Sequence, residues 1–357
     1  MNNDNPLGIK RFDHVEFYVD DVEAWAEYHV TKLGLFKRAY GNASTGLFGR
    51  KAILVGQGRV NFLFVEAEGE SESAHEIRQH VKLHGCGVKD IAFRVSDTAK
   101  ALKHCEKMNV PIVRPLDEHD VFIGGTIATY GDTTHTFVQR KQHDTFAPGY
   151  VNLPVGIEDS EILLNRIDHI VANVEDMDKW VDFYAKVFGF EQTGFFDIQT
   201  GRSSLMSKVV GDDEFIKLPI NEPSSDNSQI REFLNEYESP GVQHIALMTP
   251  DIISAIDEMR KQGMDFLHVP QTYYDAVPER CGPLKEKLQD LAKLNILVDR
   301  DREDGYLLQL FTKPIFKRPT LFYEIIQRRG NSEGFGEGNF QALFEAIERE
   351  QELRGSL

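Results

Sequence analysis

Polar and apolar residues alternate from Arg11 to Val19 (Arg-Phe-Asp-His-Val-Glu-Phe-Tyr-Val), the pattern of a strand with one face toward a core. Asp20-Asp21 then opens a helix, with Val22, Trp25 and Tyr28-His29 at helical spacing and Gly34 as its stop. The same succession returns at Arg166: Arg-Ile-Asp-His-Ile-Val-Ala-Asn-Val, then Glu175-Asp176, Met177, Trp180, Phe183-Tyr184 and Gly189. The offset is constant: 169 − 14 = 155 for the histidines and 180 − 25 = 155 for the tryptophans. The chain has two tryptophans in all, and both fall at this place. The pattern predicts an internal duplication.

A second repeat lies further along each copy. Gly87-Val-Lys-Asp-Ile-Ala92 matches Gly241-Val-Gln-His-Ile-Ala246 at an offset of 241 − 87 = 154, and each precedes a predicted helix (97–108 and 251–262). Thr136-Phe-Val-Gln-Arg140 resembles Glu324-Ile-Ile-Gln-Arg328, but here the offset is 324 − 136 = 188. The second copy therefore carries an insertion of 188 − 154 = 34 residues, placed in the polar, helix-prone stretch from Tyr273 to Leu294. Residues 141–160, with Pro148, Gly149, Pro154 and Gly156, read as the linker. Short strands are expected in the second copy at 203–210, 214–220, 305–311 and 321–327. Strands alternating with helices, yet paired in hairpins, predict an α+β fold of mixed sheets with helices on one side. Two domains are expected, residues 1–150 and 151–357.

The strand Leu321-Phe-Tyr-Glu-Ile-Ile-Gln327 poses the chemical question. It is apolar and β-branched, yet Glu324 stands in its middle, and a buried carboxylate needs a cation, a hydrogen-bonding partner or a metal. A buried Arg or Lys would be the plain answer. The duplication adds information: equivalent strand positions hold His169, His244 and Glu324 in the second copy, but His14, Asp90 and Thr136 in the first. Either histidine alone would fit a core residue with a satisfied ring. Together they form a two-histidine, one-carboxylate set, the facial triad of non-haem Fe(II) oxygenases, which zinc can also use. His75, His80 and His84 lie on what reads as an exposed polar helix, where the i, i+4 pair His80 and His84 is a weaker candidate. Gly334-Phe-Gly-Glu-Gly338 lacks the Lys-Ser/Thr ending of a phosphate loop.

Composition narrows the rest. The net charge of −17 argues against nucleic acid as a partner, since phosphate contacts need clustered Lys and Arg. No apolar run reaches the ~18 residues of a membrane span, and the polar start Met1-Asn-Asn-Asp-Asn-Pro6 carries no apolar leader core. Cys86, Cys105 and Cys281 are odd in number and scattered, which fits a reducing, cytoplasmic setting.

Several motifs resemble the 4-hydroxyphenylpyruvate dioxygenase family of the vicinal-oxygen-chelate superfamily. They are Asn165-Arg-Ile-Asp-His-Ile-Val171, Leu218-Pro-Ile-Asn-Glu-Pro223, Gly241-Val-Gln-His-Ile-Ala246, Leu307-Leu-Gln-Leu-Phe-Thr-Lys-Pro314, Phe322-Tyr-Glu-Ile-Ile-Gln-Arg328 and Gly334-Phe-Gly-Glu-Gly-Asn-Phe-Gln-Ala-Leu-Phe344. The resemblance implies duplicated βαβββ modules forming two open-barrel, glyoxalase-like domains, the first without metal ligands. It implies one Fe(II) per chain on His169, His244 and Glu324. The implied reaction takes 4-hydroxyphenylpyruvate and O₂ to homogentisate and CO₂ in tyrosine breakdown, by oxidative decarboxylation, ring hydroxylation and side-chain migration. The substrate's own 2-oxo acid would chelate the metal, so no 2-oxoglutarate is needed.

The same resemblance gives Asn221, Gln243 and Gln309 catalytic roles at the substrate, with Ser207 and Gln229 as further polar contacts. It puts Phe311, Phe335 and Phe340 around the ring and adds Asn339 to the binding residues. The Ser207 assignment depends on how the loop at Gly211-Asp212-Asp213 is aligned. The amphipathic stretch from Asn339 to Leu353 would be a helix closing over the pocket, with the glycines at 334, 336 and 338 as its hinge. A homodimer or homotetramer is implied. Hydroxymandelate synthase, which oxidises the benzylic carbon of the same substrate, is the nearest rival, and Pro219-Ile-Asn221 favours the ring hydroxylase. An extradiol dioxygenase lacks support outside the triad. A non-catalytic binding module would account for the first copy but not for the second.

Overall fold

The computed structural model describes residues 5–141, 145–154, 160, 162–199, 203–212 and 215–355. Met1, Gly156, Asp213 and Glu214, which figure in the expectations above, lie outside them. Four βαβββ modules follow one another. The first holds β1 (Ile9–Tyr18), α1 (Val22–Leu33), β2 (Phe36–Gly41), β3 (Arg50–Gln57) and β4 (Val60–Ala67). Helix α2 (Glu72–His84) leads to the second, with β5 (Gly87–Val95), α3 (Thr98–Lys107), β6 (Ile112–Glu118), β7 (Phe122–Ala128) and β8 (Thr134–Arg140). The linker carries a short strand, β9 (Val151–Asn152), which pairs with β2.

The third module holds β10 (Arg166–Asn173), α4 (Met177–Phe183), β11 (Glu191–Gln199), β12 (Ser204–Gly211) and β13 (Lys217–Pro223). Helix α5 (Gln229–Tyr237) leads to the fourth, which begins with β14 (Gly241–Met248) and α6 (Ile252–Lys261). The inserted stretch folds as three short helices, α7 (Gln271–Asp275), α8 (Val277–Cys281) and α9 (Leu288–Leu294). Then come β15 (Leu297–Arg302), β16 (Gly305–Phe311), β17 (Phe322–Arg329) and the terminal helix α10 (Phe340–Arg354).

Local chemistry explains these boundaries. Asp21, Asp97, Asp176 and Asp251 each cap a helix, accepting a backbone N–H of its first turn. Gly34 ends α1 at φ 65° and Gly189 ends the turn after α4 at φ 71°, the left-handed stop that glycine adopts without penalty.

The two sheets have the same plan. In the first the order is β6-β7-β8-β5-β1-β4-β3-β2-β9, and in the second β11-β12-β13-β10-β14-β17-β16-β15. In each, two modules join antiparallel at the centre, β1 with β5 and β10 with β14. Strand register confirms the alignment of the copies: Glu16 faces Asp90 as Val171 faces His244, and Ala92 faces Thr136 as Ala246 faces Glu324.

The copies interlock through residues at equivalent positions. Trp25 of the first packs on Phe316 of the second, and Trp180 of the second packs on Tyr130 of the first. Beside them, His29 Nε2 lies 2.7 Å from the Tyr323 hydroxyl, and His135 Nε2 lies 2.7 Å from the Tyr184 hydroxyl. The two pairs occupy matching places with the residue types exchanged. All four side chains are buried, and the apolar core runs through both copies without a break. No helix among the described residues is long and apolar enough to cross a membrane.

Candidate metal centre

Three neighbouring central strands supply the triad. His169 (β10), Ala246 (β14) and Glu324 (β17) stand abreast in one row, and His244 lies two residues along from Ala246, on the same face. The small Ala246 side chain separates His169 from Glu324 in that row. All three candidate ligands are buried. His169 Nε2 lies 3.1 Å and His244 Nε2 3.5 Å from Glu324 Oε2.

The remaining ring nitrogens are already engaged. His169 Nδ1 donates to Asp168 Oδ1 at 2.9 Å, and His244 Nδ1 donates to Gln243 Oε1 at 3.0 Å. Each imidazole is thereby fixed with its Nε2 lone pair facing the carboxylate, as metal-binding histidines are usually held. Asp168 is held in turn by Arg328, with bonds of 2.7 and 3.0 Å. Burial would raise the Asp168 pKa, but Arg328 and His169 hold it well below the carboxylate range.

Charge in the triad follows the same balance. Burial favours neutral Glu324, yet His169 and His244 outweigh it and lower its pKa. Burial also opposes charge on His169, but Glu324 and Asp168 raise its pKa, whereas burial prevails at His244 and lowers it. Glu324 Oε1 is buried and has no hydrogen-bond partner among the described residues. A buried carboxylate whose Oε2 faces two oriented imidazoles and whose Oε1 has no partner among the described residues fits a cation, and the donor set suits a divalent transition metal.

Above the triad lies a cavity of about 70 Å³. Ser207, Asn221, Gln229, Gln243 and Gln309 reach its wall, as do Phe311, Phe335 and Phe340. Phe335 stands edge-on to His169 at 5.3 Å. Asn221 donates to Asn173 Oδ1 at 3.1 Å, while Gln309 Oε1 is buried and has no partner among the described residues. Helix α10 covers the cavity through Leu343, Phe344 and Ile347. Its body is tied down by Ser203 to Glu348 (2.7 Å), Lys313 to Glu350 (2.9 Å) and Arg354 to Glu232 (2.9 Å).

Two expectations need correction. Asn339 does not line the cavity; its side chain is drawn away toward Tyr273 and Arg280. The helix with His75, His80 and His84 is α2, but His80 and His84 are not exposed. His80 Nδ1 lies 2.7 Å and His84 Nε2 3.4 Å from Asp132, whose carboxylate also has Lys89 at 3.6 Å. That ammonium already answers the carboxylate, so this cluster is a charge-paired contact beneath Tyr237. Two aromatic wall residues were missed, Phe322 and Phe196. Phe322 stacks on His244 at 4.8 Å, and Phe196 meets Phe340 edge-on at 5.1 Å. Strand alternation puts Phe322, two residues before Glu324, on the same face, which was the available signal; β11, which carries Phe196, gave none.

The first copy shows the same frame, with His14 in place but without the second histidine and the glutamate. Asp13 is gripped by Arg140 and by Arg94, as Asp168 is by Arg328. Arg140 donates to the Phe146 carbonyl as Arg328 does to that of Gly334, and Phe146 stands edge-on to His14 at 5.1 Å. Asp90 replaces the second histidine and accepts from Thr134 (2.6 Å) and Thr136 (2.9 Å).

Burial, helped by Glu16, pushes Asp90 from 3.8 up to about 6. A carboxyl whose pKa rises on folding stabilises the fold most at low pH, and that contribution is lost as pH climbs through about 6. Asp90→Asn removes the dependence. In urea titrations the variant should gain about 1–2 kcal/mol more over the parent at pH 8 than at pH 5.

Residues 3–150 match the family model described as "Hydroxyphenylpyruvate dioxygenase, HPPD, N-terminal", and residues 166–277 match that of the "Glyoxalase/Bleomycin resistance protein/Dioxygenase superfamily". The 4-hydroxyphenylpyruvate dioxygenase of Dictyostelium discoideum is 41% identical over 372 residues, covering 98% of this chain and 100% of its own. That of Caenorhabditis elegans is 42% identical, with 97% and 93% covered. The chain belongs to the 4-hydroxyphenylpyruvate dioxygenase family. Among solved structures, a mutant 4-hydroxymandelate synthase from Streptomyces coelicolor superposes with a TM-score of 0.86 at 28% identity, covering 96% of this chain and 99% of that one. Relatives with one family name thus span nearly the whole length, both copies included.

Proposed function

We propose that this chain is a non-haem Fe(II) dioxygenase converting 4-hydroxyphenylpyruvate and O₂ to homogentisate and CO₂, with one iron held by His169, His244 and Glu324. The observation that carries the reading is the pair of oriented imidazoles facing the buried Glu324 carboxylate, in a chain about 41% identical to curated 4-hydroxyphenylpyruvate dioxygenases along its length. When bound, the iron supplies the oxidative chemistry on O₂ and the positive charge that meets the substrate's 2-oxo acid.

The chain's own residues account for recognition and shielding. No Lys or Arg lines the cavity among the described residues, so the cation that meets the substrate's carboxylate would be the metal, with the neutral amides and Ser207 as further donors. The amides of Asn221, Gln243 and Gln309 can each donate and accept, which suits a neutral phenol and a keto oxygen. Phe335 and Phe340 enclose an aromatic ring, and α10 excludes water while the reaction proceeds. No 2-oxoglutarate is required, because the substrate carries its own 2-oxo acid.

The test is oxygen uptake by the Fe(II)-loaded protein with 4-hydroxyphenylpyruvate, with chromatographic identification of the product. Homogentisate is expected. The likeness to 4-hydroxymandelate synthase makes 4-hydroxymandelate the informative alternative, keeping iron and substrate but moving the oxidation to the benzylic carbon. No uptake by the iron-loaded protein would overturn the reading.

A further inference from the structure

The inserted stretch that distinguishes the second copy reaches the foot of the lid. Tyr273, on α7, directs its hydroxyl at the Asn339 side chain, with Oη 2.5 Å from Oδ1. The same oxygen receives the Val298 N–H at 2.8 Å and Arg280 Nη2 at 2.7 Å. Val298 O also lies 2.8 Å from Oη, but Arg280 Nη2 supplies a donor to that carbonyl at 2.8 Å. The one hydroxyl proton is therefore free to go to Asn339, the shorter contact. Burial pushes the Tyr273 pKa up to about 12, so the proton stays on over the working range.

Arg280 extends the anchor. Its Nη1 donates to Asp299 Oδ1 at 3.0 Å, and Asp299 Oδ2 accepts the Gly338 N–H at 3.0 Å. A Cβ on Gly338 would lie 2.3 Å from Asp299 Oδ1 and 2.4 Å from Arg280 Nη1, so any larger residue would push this ion pair aside. Asn339 itself is fully buried and stands at the N-cap of α10, where Asn normally accepts from its own helix. It makes no such bond. The side chain has been diverted from a local cap to an anchor, and a broken local rule of this kind points to function. The next residue is Phe340, and Phe335 lies four before; both face the substrate cavity.

We propose that Tyr273, with Arg280, is a positioning residue for turnover: the inserted segment fixes Asn339, and through it the start of α10, so that Phe335 and Phe340 close on the substrate. This rests on the dioxygenase reading above. The bland alternative is a structural brace that stabilises the insertion and has no bearing on the lid.

Tyr273→Phe keeps the ring and deletes the hydroxyl, and Arg280→Lys keeps a cation where Arg280→Met does not. The iron-loaded variants are assayed for oxygen consumed and homogentisate formed over a range of 4-hydroxyphenylpyruvate, with hydrogen exchange of peptides covering 335–354. Tyr273→Phe should keep its iron and lose only a few degrees of Tm, raise KM about tenfold with little change in kcat, and speed exchange in α10 about tenfold. More oxygen should be consumed per homogentisate, because a loose lid admits water. Arg280→Lys should fall between the parent and Arg280→Met. Unchanged KM and α10 exchange in Tyr273→Phe would overturn the proposal. So would a fall in Tm with proportionate loss of kcat across all variants. If the parent consumes no oxygen with this substrate, the dioxygenase reading fails, while the exchange comparison still decides whether Tyr273 anchors the lid.

Discussion

Replacing Glu324 with alanine is expected to remove bound iron and turnover together. The two imidazoles that remain keep their orientation through Asp168 and Gln243, but two neutral nitrogens in a buried apolar pocket do not retain a divalent cation against water. Iron by elemental analysis should drop from about one per chain to below roughly a tenth, and kcat/KM by at least about a thousandfold, or ~4 kcal/mol. The control lies in the same molecule: His14→Ala, at the matching position of the first copy, should leave both within about twofold. A Glu324→Ala protein that kept its iron and its turnover would remove the triad from the mechanism.

Arg328→Met gives the second large effect, and this one falls on stability. It strands the Asp168 carboxylate in the interior and frees the Gly334 carbonyl at the lid hinge. Breaking a buried ion pair by removing one partner costs about 3–5 kcal/mol, which in a protein of this size lowers Tm by roughly 10 °C. The double variant Asp168→Leu with Arg328→Met should recover most of that loss, since two apolar side chains leave no charge behind. Activity should not recover. His169 would lack the acceptor that fixes its tautomer, and disrupting such a partner typically costs 10–100-fold in metal affinity. Calorimetry beside iron titration separates the two consequences. Recovery of both together would show that Asp168 serves the fold alone.

The repeat was legible because burial imposes period on a chain. His14 and His169, or Trp25 and Trp180, sit at one offset because each copy needs the same strand facing the same way. Counting offsets also located the insertion, since an indel inside a repeat changes the offset once and permanently. The triad could be read because the first copy has kept the frame and His14 but has Asp90 and Thr136 where the second has His244 and Glu324. Other features were hidden for physical reasons. Phe196 reaches the cavity only because β11 pairs with β12 and curls the sheet edge under α10. His80 and His84 look solvent-facing by helical pattern, but Tyr237 and Asp132, far away in sequence, cover them. Asn339 has the sequence context of a pocket residue and an N-cap, and Tyr273 takes it from both roles. Contacts of this length leave no periodic trace.

The exchanged His–Tyr pairs between the copies bear on how the molecule can be taken apart. His29 comes from α1 and Tyr184 from the turn that follows α4, and Tyr323 and His135 from the last strands, so each pair needs one residue from either side. A catalytic half expressed by itself would bring the Tyr323 hydroxyl, one residue from Glu324, into contact with solvent, and would bare the apolar surface around Trp180. The second copy is thus not a portable module that a gene fusion can transplant. A nick in the linker should be tolerated, because the fragments can hold one another, whereas loss of either fragment should precipitate the other.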